Sequence, residues 1–262
     1  MIRLTFLLRA RAGMDRDDFY DYWRNTHAPL VASFATDLNI LRYVQVHTLW
    51  DDAAVAAHHG MANARGGMEP PYDGVAELWF ESRAELMAAL DDPAGQAAGV
   101  ALAEDEARFI DLKASPLWLN YEYPQVNPTP ENLVARPRSD LVKLYFPLRM
   151  RRSVELPWAR DYWRHQHGPL IRRQAAGSGI QRYIQVHRTV DELETGLRVA
   201  RGTEAPAYDG HAELWFNRTE MSLSSPERVE AARRAVEDEA NFIDFERSTM
   251  WLAKEHVIVD RL

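Results

Sequence analysis

The chain carries nine histidines and no cysteine. Imidazole is therefore the group best placed to move a proton near neutral pH. Thiolate nucleophiles, disulfides, cysteine-based zinc sites and iron–sulfur clusters are all excluded. Four of the histidines come in matched pairs. His27 and His167 each follow a Tyr-Trp pair and precede Pro-Leu, and His47 and His187 each end an Arg-Tyr-x-Gln-x-His run. A fifth, His211, breaks a match: Tyr208 to Phe216 repeats Tyr72 to Phe80 except that Val75 becomes His211. His27 and His167 could act as acid or base on a carbonyl or hydroxyl substrate. They could equally bond the carbonyls of Asn25 and His165, which Pro29 and Pro169 leave without an N–H partner. His187 beside Gln185 also fits a hydrogen-bond network between strands. Glu77 and Glu213 are either general bases or halves of ion pairs to Arg3 and Lys143 across the two copies.

Placed on one strand face, the second copy gathers Lys143, Tyr145, His187, His211 and Glu213, against Arg3, Thr5, His47, Val75 and Glu77 in the first. This difference predicts one catalytic pocket in the second copy, with neutral drift at a lumen position as the competing explanation. His211 or His167 would move the proton, Glu213 would orient it, and Tyr145 or Tyr183 would steady a developing enolate oxygen. His187, His211 and Glu213 also form a three-ligand metal candidate. No helical His-x-x-x-His pair supports it, and the expectation is no metal and no cofactor. His58-His59 is expected in a solvent-facing loop.

The matched residues belong to an internal duplication. Tyr22-Trp23, His27 and Pro29-Leu30 recur 140 residues later, as does Arg42 to His47. Tyr72 to Phe80 recurs 136 residues on, and Glu104 to Ala107 with Phe109 to Asp111 recurs 133 residues on. Residues 1–123 and 140–262 are two modules, and 124–139, punctuated by Pro124, Pro128, Pro130 and Pro137, is the linker. Within each module the spacing predicts strand, helix, two strands, a helix broken near Asp91-Asp92-Pro93, and a last strand, the βαββαβ order of a ferredoxin-like unit.

The Tyr-Trp-x-x-x-His-x-Pro-Leu helix, the Arg-Tyr-x-Gln-x-His strand and the Tyr-Asp-Gly-x-Ala-Glu-Leu-Trp-Phe strand resemble the EthD family of the dimeric α/β-barrel superfamily. The resemblance implies an α+β fold in which two ferredoxin-like βαββαβ modules close an intramolecular dimeric α/β barrel. It implies a cofactor-independent lyase or isomerase, of dehydratase or cyclase type, acting on an aromatic, polyketide-like or hydrophobic catabolic intermediate. It leaves open a haem- or oxygen-dependent oxidoreductase, or an accessory protein of an oxidative pathway, with His27 or His167 as axial ligand. A non-catalytic small-molecule binder is the third possibility.

Lys and Arg total 31 against 39 Asp and Glu, a net charge of −8, which argues against nucleic acid or an anionic membrane surface as partner. No apolar run approaches membrane-spanning length, and the N-terminus lacks a signal-peptide layout. The expectation is a cytoplasmic protein, an internal pseudo-dimer that pairs further or stands alone, with a small hydrophobic or aromatic substrate.

Overall fold

A computed structural model describes residues 1–128, 133–221, 223 and 225–262; Pro130, part of the expected linker, lies outside them. The first module runs β1 (Ile2–Leu8), α1 (Arg16–Tyr22), a π-helical turn (Trp23–His27), α2 (Ala28–Ser33), β2 (Arg42–Thr48), α3 (Asp52–Asn63), β3 (Gly74–Phe80), α4 (Arg83–Asp91), α5 (Pro93–Phe109) and β4 (Leu117–Val126). The second runs β5 (Leu141–Leu148), α6 (Leu156–Tyr162), a second π-helical turn (Trp163–His167), α7 (Gly168–Ser178), β6 (Ile180–Arg188), α8 (Glu192–Arg201), β7 (Gly210–Asn217), α9 (Arg218–Met221), α10 (Pro226–Glu239) and β8 (Trp251–Asp260). β4 continues through Pro124, three residues beyond the strand expected from sequence.

The strands close a barrel in the order β1-β3-β2-β8-β5-β7-β6-β4, every neighbouring pair antiparallel. Each module contributes a four-stranded ferredoxin-like sheet. The modules join through β2 with β8 and β4 with β6, so no sheet edge is left open. Helices pack outside. Two layers of core result: one inside the barrel around Trp118, Trp251, Tyr72 and Tyr208, and one between each sheet and its helices.

The broken helix falls where expected. α4 ends at Asp91, and Asp92 caps α5 by accepting from Ala94 N at 2.8 Å, with Pro93 in the first turn. Asp15 stands at the start of α1 but its side chain makes no cap bond. α3 and α8 are additions to the expected elements; α3 carries no wide apolar stripe, whereas α8 is strongly amphipathic. Both are capped from outside, Asp51 accepting from Ala54 N and Asp191 from Leu193 N and Glu194 N. His58 is accordingly not in a solvent-facing loop. It lies buried on α3, its Nε2 accepting from Leu252 N at 3.0 Å, while its neighbour His59 is exposed.

Strand register corrects the sorting of side chains into faces. Val44 pairs with Glu77 and Gln45 with Ala76, so Tyr43, Gln45 and His47 share the helix side with Ala76 and Leu78. Val75, Glu77 and Trp79 point into the barrel. His187 likewise faces the helices, whereas His211 and Glu213 face inward, so His187 does not join them. Alternation fixes faces within one strand; only register relates one strand to the next.

Candidate active site

Two constellations result, on opposite faces of the same strands. Inside the barrel, Lys143 Nζ lies 2.9 and 3.0 Å from the two oxygens of Glu77, 3.0 Å from Glu213 and 3.2 Å from Glu255. Arg3 bonds Glu77 and Glu213 closely and reaches Glu122 at 2.9 Å. The cross-copy ion pairs anticipated for Glu77 and Glu213 are therefore present. Tyr145 Oη is 2.9 Å from His211 Nε2, and Arg3 Nη2 is 3.2 Å from the same nitrogen. His211 is wholly buried, and its Nδ1 has no hydrogen-bond partner among the described residues.

Two cations face four carboxylates in this cluster, so the group retains protons that free carboxylates would lose. Burial, outweighing Arg3 and Lys143, pushes Glu77 up to about 8. For Glu213 burial acts the same way, but Arg3 and Lys143 prevail and hold it well below the usual carboxylate range. Burial, with Arg3 and Lys143 adding to it, pushes His211 down to about 3, against the pull of Glu213. His211 is thus a neutral acceptor for Arg3 or Tyr145. Ligand atoms of Glu77, His211 and Glu213 lie within 4.8 Å of one another, a spacing a metal could use. The place between the two carboxylates, however, is taken by the guanidinium of Arg3 and the ammonium of Lys143. The residues do not fit a metal ion.

The second constellation sits between sheet and helices. A cavity of about 500 Å³ in the second module has an apolar floor of Leu144, Phe146, Ala212 and Leu214, a size and lining typical of small-molecule sites. His167 stands in its wall. Its Nδ1 lies 2.7 Å from Asp238 Oδ2, and Tyr162 donates to Asp238 Oδ1 at 2.7 Å. Burial pushes Asp238 up, but the bonds from His167 and Tyr162 prevail and lower it, which keeps it a carboxylate. With Nδ1 engaged, Nε2 is the ring nitrogen left for a ligand. The π-helical turn Trp163–His167 brings this about. The amide of Gly168 reaches back to Trp163 O, and Gln185 Nε2 donates to the same carbonyl at 2.7 Å. A π-turn widens the helix at a point where a side chain must be aimed. His27 and His167 thus bond Asp105 and Asp238, rather than the carbonyls that the prolines leave unpaired.

Tyr183 also lines the cavity. Its oxygen accepts from Trp163 Nε1 at 3.3 Å and from Gln185 Nε2 at 3.0 Å, which leaves its own proton to donate. Burial raises its pKa, so it stays a neutral phenol. Beside it Glu239 pairs with Arg65 Nη2 at 2.7 Å, an arginine carried by the segment after α3 of the other module. His187 is stacked on Trp163 at 4.2 Å between ring centres and contacts Gln185 Oε1; burial pushes it down to about 3.

The first module repeats the arrangement around a cavity of only about 90 Å³. His27 Nδ1 lies 2.8 Å from Asp105 Oδ2, and Tyr43 accepts from Trp23 and Gln45. Of the residues singled out from sequence, His167 lies at the large cavity and His27 at the small one. Tyr145, His211 and Glu213 lie inside the barrel, and His187 lies behind Trp163. Sequence reasoning missed Asp105, Asp238, Arg65 and Glu239. The acidic blocks Glu104 to Ala107 and Glu237 to Ala240 recur in step with the histidines, a signal that could have paired them.

Fold and duplication together define a dimeric α/β barrel closed within one chain. The EthD domain matches residues 11–113 and 154–246, and the chain belongs to the EthD-domain family. No curated protein matches it. Among solved structures it is similar to an anthrone oxidase-like protein, with TM-score 0.58 and 9% identity over 100% of this chain and 94% of that one. It is also similar to a protein of Fusobacterium nucleatum named as a candidate monooxygenase, with TM-score 0.52 and 5% identity over 98% and 93%. At such identities the likeness speaks for the fold.

Proposed function

We propose that the protein is an enzyme whose large cavity binds a hydrophobic, ring-bearing carbonyl compound, and that it acts as a lyase or isomerase by removing a proton next to that carbonyl. The observation that carries this reading is the His167–Asp238 pair in the wall of an apolar cavity of about 500 Å³. His167 Nε2 takes the proton. Asp238 fixes the tautomer and steadies the imidazolium that forms. Tyr183 donates its proton in a hydrogen bond to the enolate oxygen, the role foreseen for Tyr145 or Tyr183. His211 and Glu213, enclosed with Arg3 and Lys143, hold the two modules together instead of meeting substrate. Incubation with 1-tetralone in D₂O tests the reading: the protein should speed deuterium exchange beside the ketone, and exchange at the uncatalysed rate overturns it.

One observation favours a second reading. A histidine in a cavity wall whose Nδ1 is held by a carboxylate, as His167 is by Asp238, is also how proteins hold haem iron. His167 would hold the iron there, and haem would supply redox chemistry, in line with the oxidative names of the two structurally similar proteins. A Soret band in freshly purified protein would select this reading; its absence after supplementation with haemin leaves the acid–base reading in place.

A further inference from the structure

The small cavity of the first module is a reduced copy of the large one, with its polar end intact. Its floor is the same: Leu4, Phe6, Ala76 and Leu78 stand where the second module has Leu144, Phe146, Ala212 and Leu214. Its polar groups are also the same. His27 pairs with Asp105, Tyr22 donates to Asp105 Oδ1 at 2.6 Å, and Arg201 of the other module pairs with Glu106 at 2.8 Å. Tyr43 Oη accepts from Trp23 Nε1 at 3.0 Å and Gln45 Nε2 at 3.1 Å, so its proton too remains to be donated. Burial keeps Tyr43 a neutral phenol.

The difference lies in the apolar residues that fill space. Leu102 of α5 stands where α10 has Ala235, and Leu38 where α7 ends in Ser178. α4 is nine residues long and sends Leu86 and Leu90 into the cavity, whereas α9 has four residues. These changes shorten the cavity without touching His27, Asp105, Tyr43, Glu106 or Arg201. A buried histidine–carboxylate pair and a buried phenol lining the same apolar cavity are a costly thing to keep in a mere scaffold.

We infer that the first module holds a second ligand site, for a neutral carbonyl compound smaller than a benzene ring, such as a short acyclic ketone, bound with its oxygen on Tyr43 and its adjacent carbon at His27. The size follows from the volume. About 90 Å³ is several times what one water needs, and falls short of the roughly 150 Å³ cavity that accepts benzene. The inference rests on the same chemistry proposed for the large cavity, but the two are tested on different residues.

The experiment follows the imidazole signals of ¹⁵N-histidine-labelled protein, assigned with His27→Asn and His167→Asn. Acetone should shift the His27 signals saturably, and Leu102→Phe, which fills the cavity, should abolish the shift while the His167 signals stay dispersed. Tyr43→Phe should weaken acetone binding by about threefold, the net loss of one hydrogen bond. Unmoved His27 signals at saturating acetone, or an equal shift in Leu102→Phe, overturn the inference. Failure of 1-tetralone to move the His167 signals would instead count against the large-cavity reading and leave the His27 result standing.

Discussion

The proton retained by the Glu77–Glu213 pair makes stability depend on pH in a direction opposite to most carboxylates. Glu77 is pushed up to about 8 in the folded chain and titrates near 4.5 when unfolded. Between those values the native state holds a proton that the unfolded chain releases, so stability falls as pH rises. Histidines act in the other direction. Burial pushes His211 and His187 down to about 3 and His58 and His256 to about 4, so their contribution is present above 6.5 and lost as pH drops. The unfolded chain's histidines go on releasing protons to about pH 7.5, so in the wild type their gain offsets the Glu77 loss. Glu77→Gln, which keeps the shape but cannot ionise, isolates the Glu77 contribution as a difference between the two proteins. Between pH 6.5 and 8.0 the native carboxyl goes from almost fully to half protonated, worth about 1.6 kcal/mol. Urea unfolding at pH 6.5, 7.2 and 8.0, with unchanged m-values, should show wild-type stability falling by that amount relative to Glu77→Gln. A difference that stays flat or grows in favour of the wild type refutes the assignment of the retained proton.

Other consequences can be checked alongside. Asp238→Asn should leave the fold intact, yet slow 1-tetralone exchange by tenfold or more, because the amide no longer fixes the His167 tautomer; rates in D₂O measure it. Tyr183→Phe should cut the exchange rate while leaving 1-tetralone affinity within a few fold, the mark of a bond that strengthens with the enolate. Gly74→Ala should cost about 1–3 kcal/mol in urea unfolding, since a Cβ there would meet Trp23 Cζ3 at 2.5 Å and Val46 O at 2.8 Å.

Much of the architecture was legible because duplication writes the same pattern twice. The Tyr-Trp to His27 block, the Arg42 to His47 strand and the Tyr72 to Phe80 strand each recur, which fixed element order and the ferredoxin-like topology. α3 escaped because Asp52-Ala-Ala-Val-Ala-Ala carries small residues with no wide apolar stripe, and its helix is set by the Asp51 cap and its packing on β8. The candidate site was half legible. His27 and His167 stood out by type and context, but their partners Asp105 and Asp238 lie 78 and 71 residues away on helices that only tertiary packing brings near. His211 stood out more sharply still, as the one change in a repeated motif. Its meaning depended on strand register, which the sequence does not contain, and register encloses it between Tyr145 and Arg3.

The central claim is that His167, and not His211, moves the proton. The direct measurement is the rate of deuterium exchange beside the carbonyl of 1-tetralone for wild type, His167→Asn and His211→Val, each confirmed folded by circular dichroism. The account predicts a loss of about 100-fold or more in His167→Asn and a rate within a few fold of wild type in His211→Val. Exchange that survives in His167→Asn and disappears in His211→Val would contradict it and move the chemistry inside the barrel.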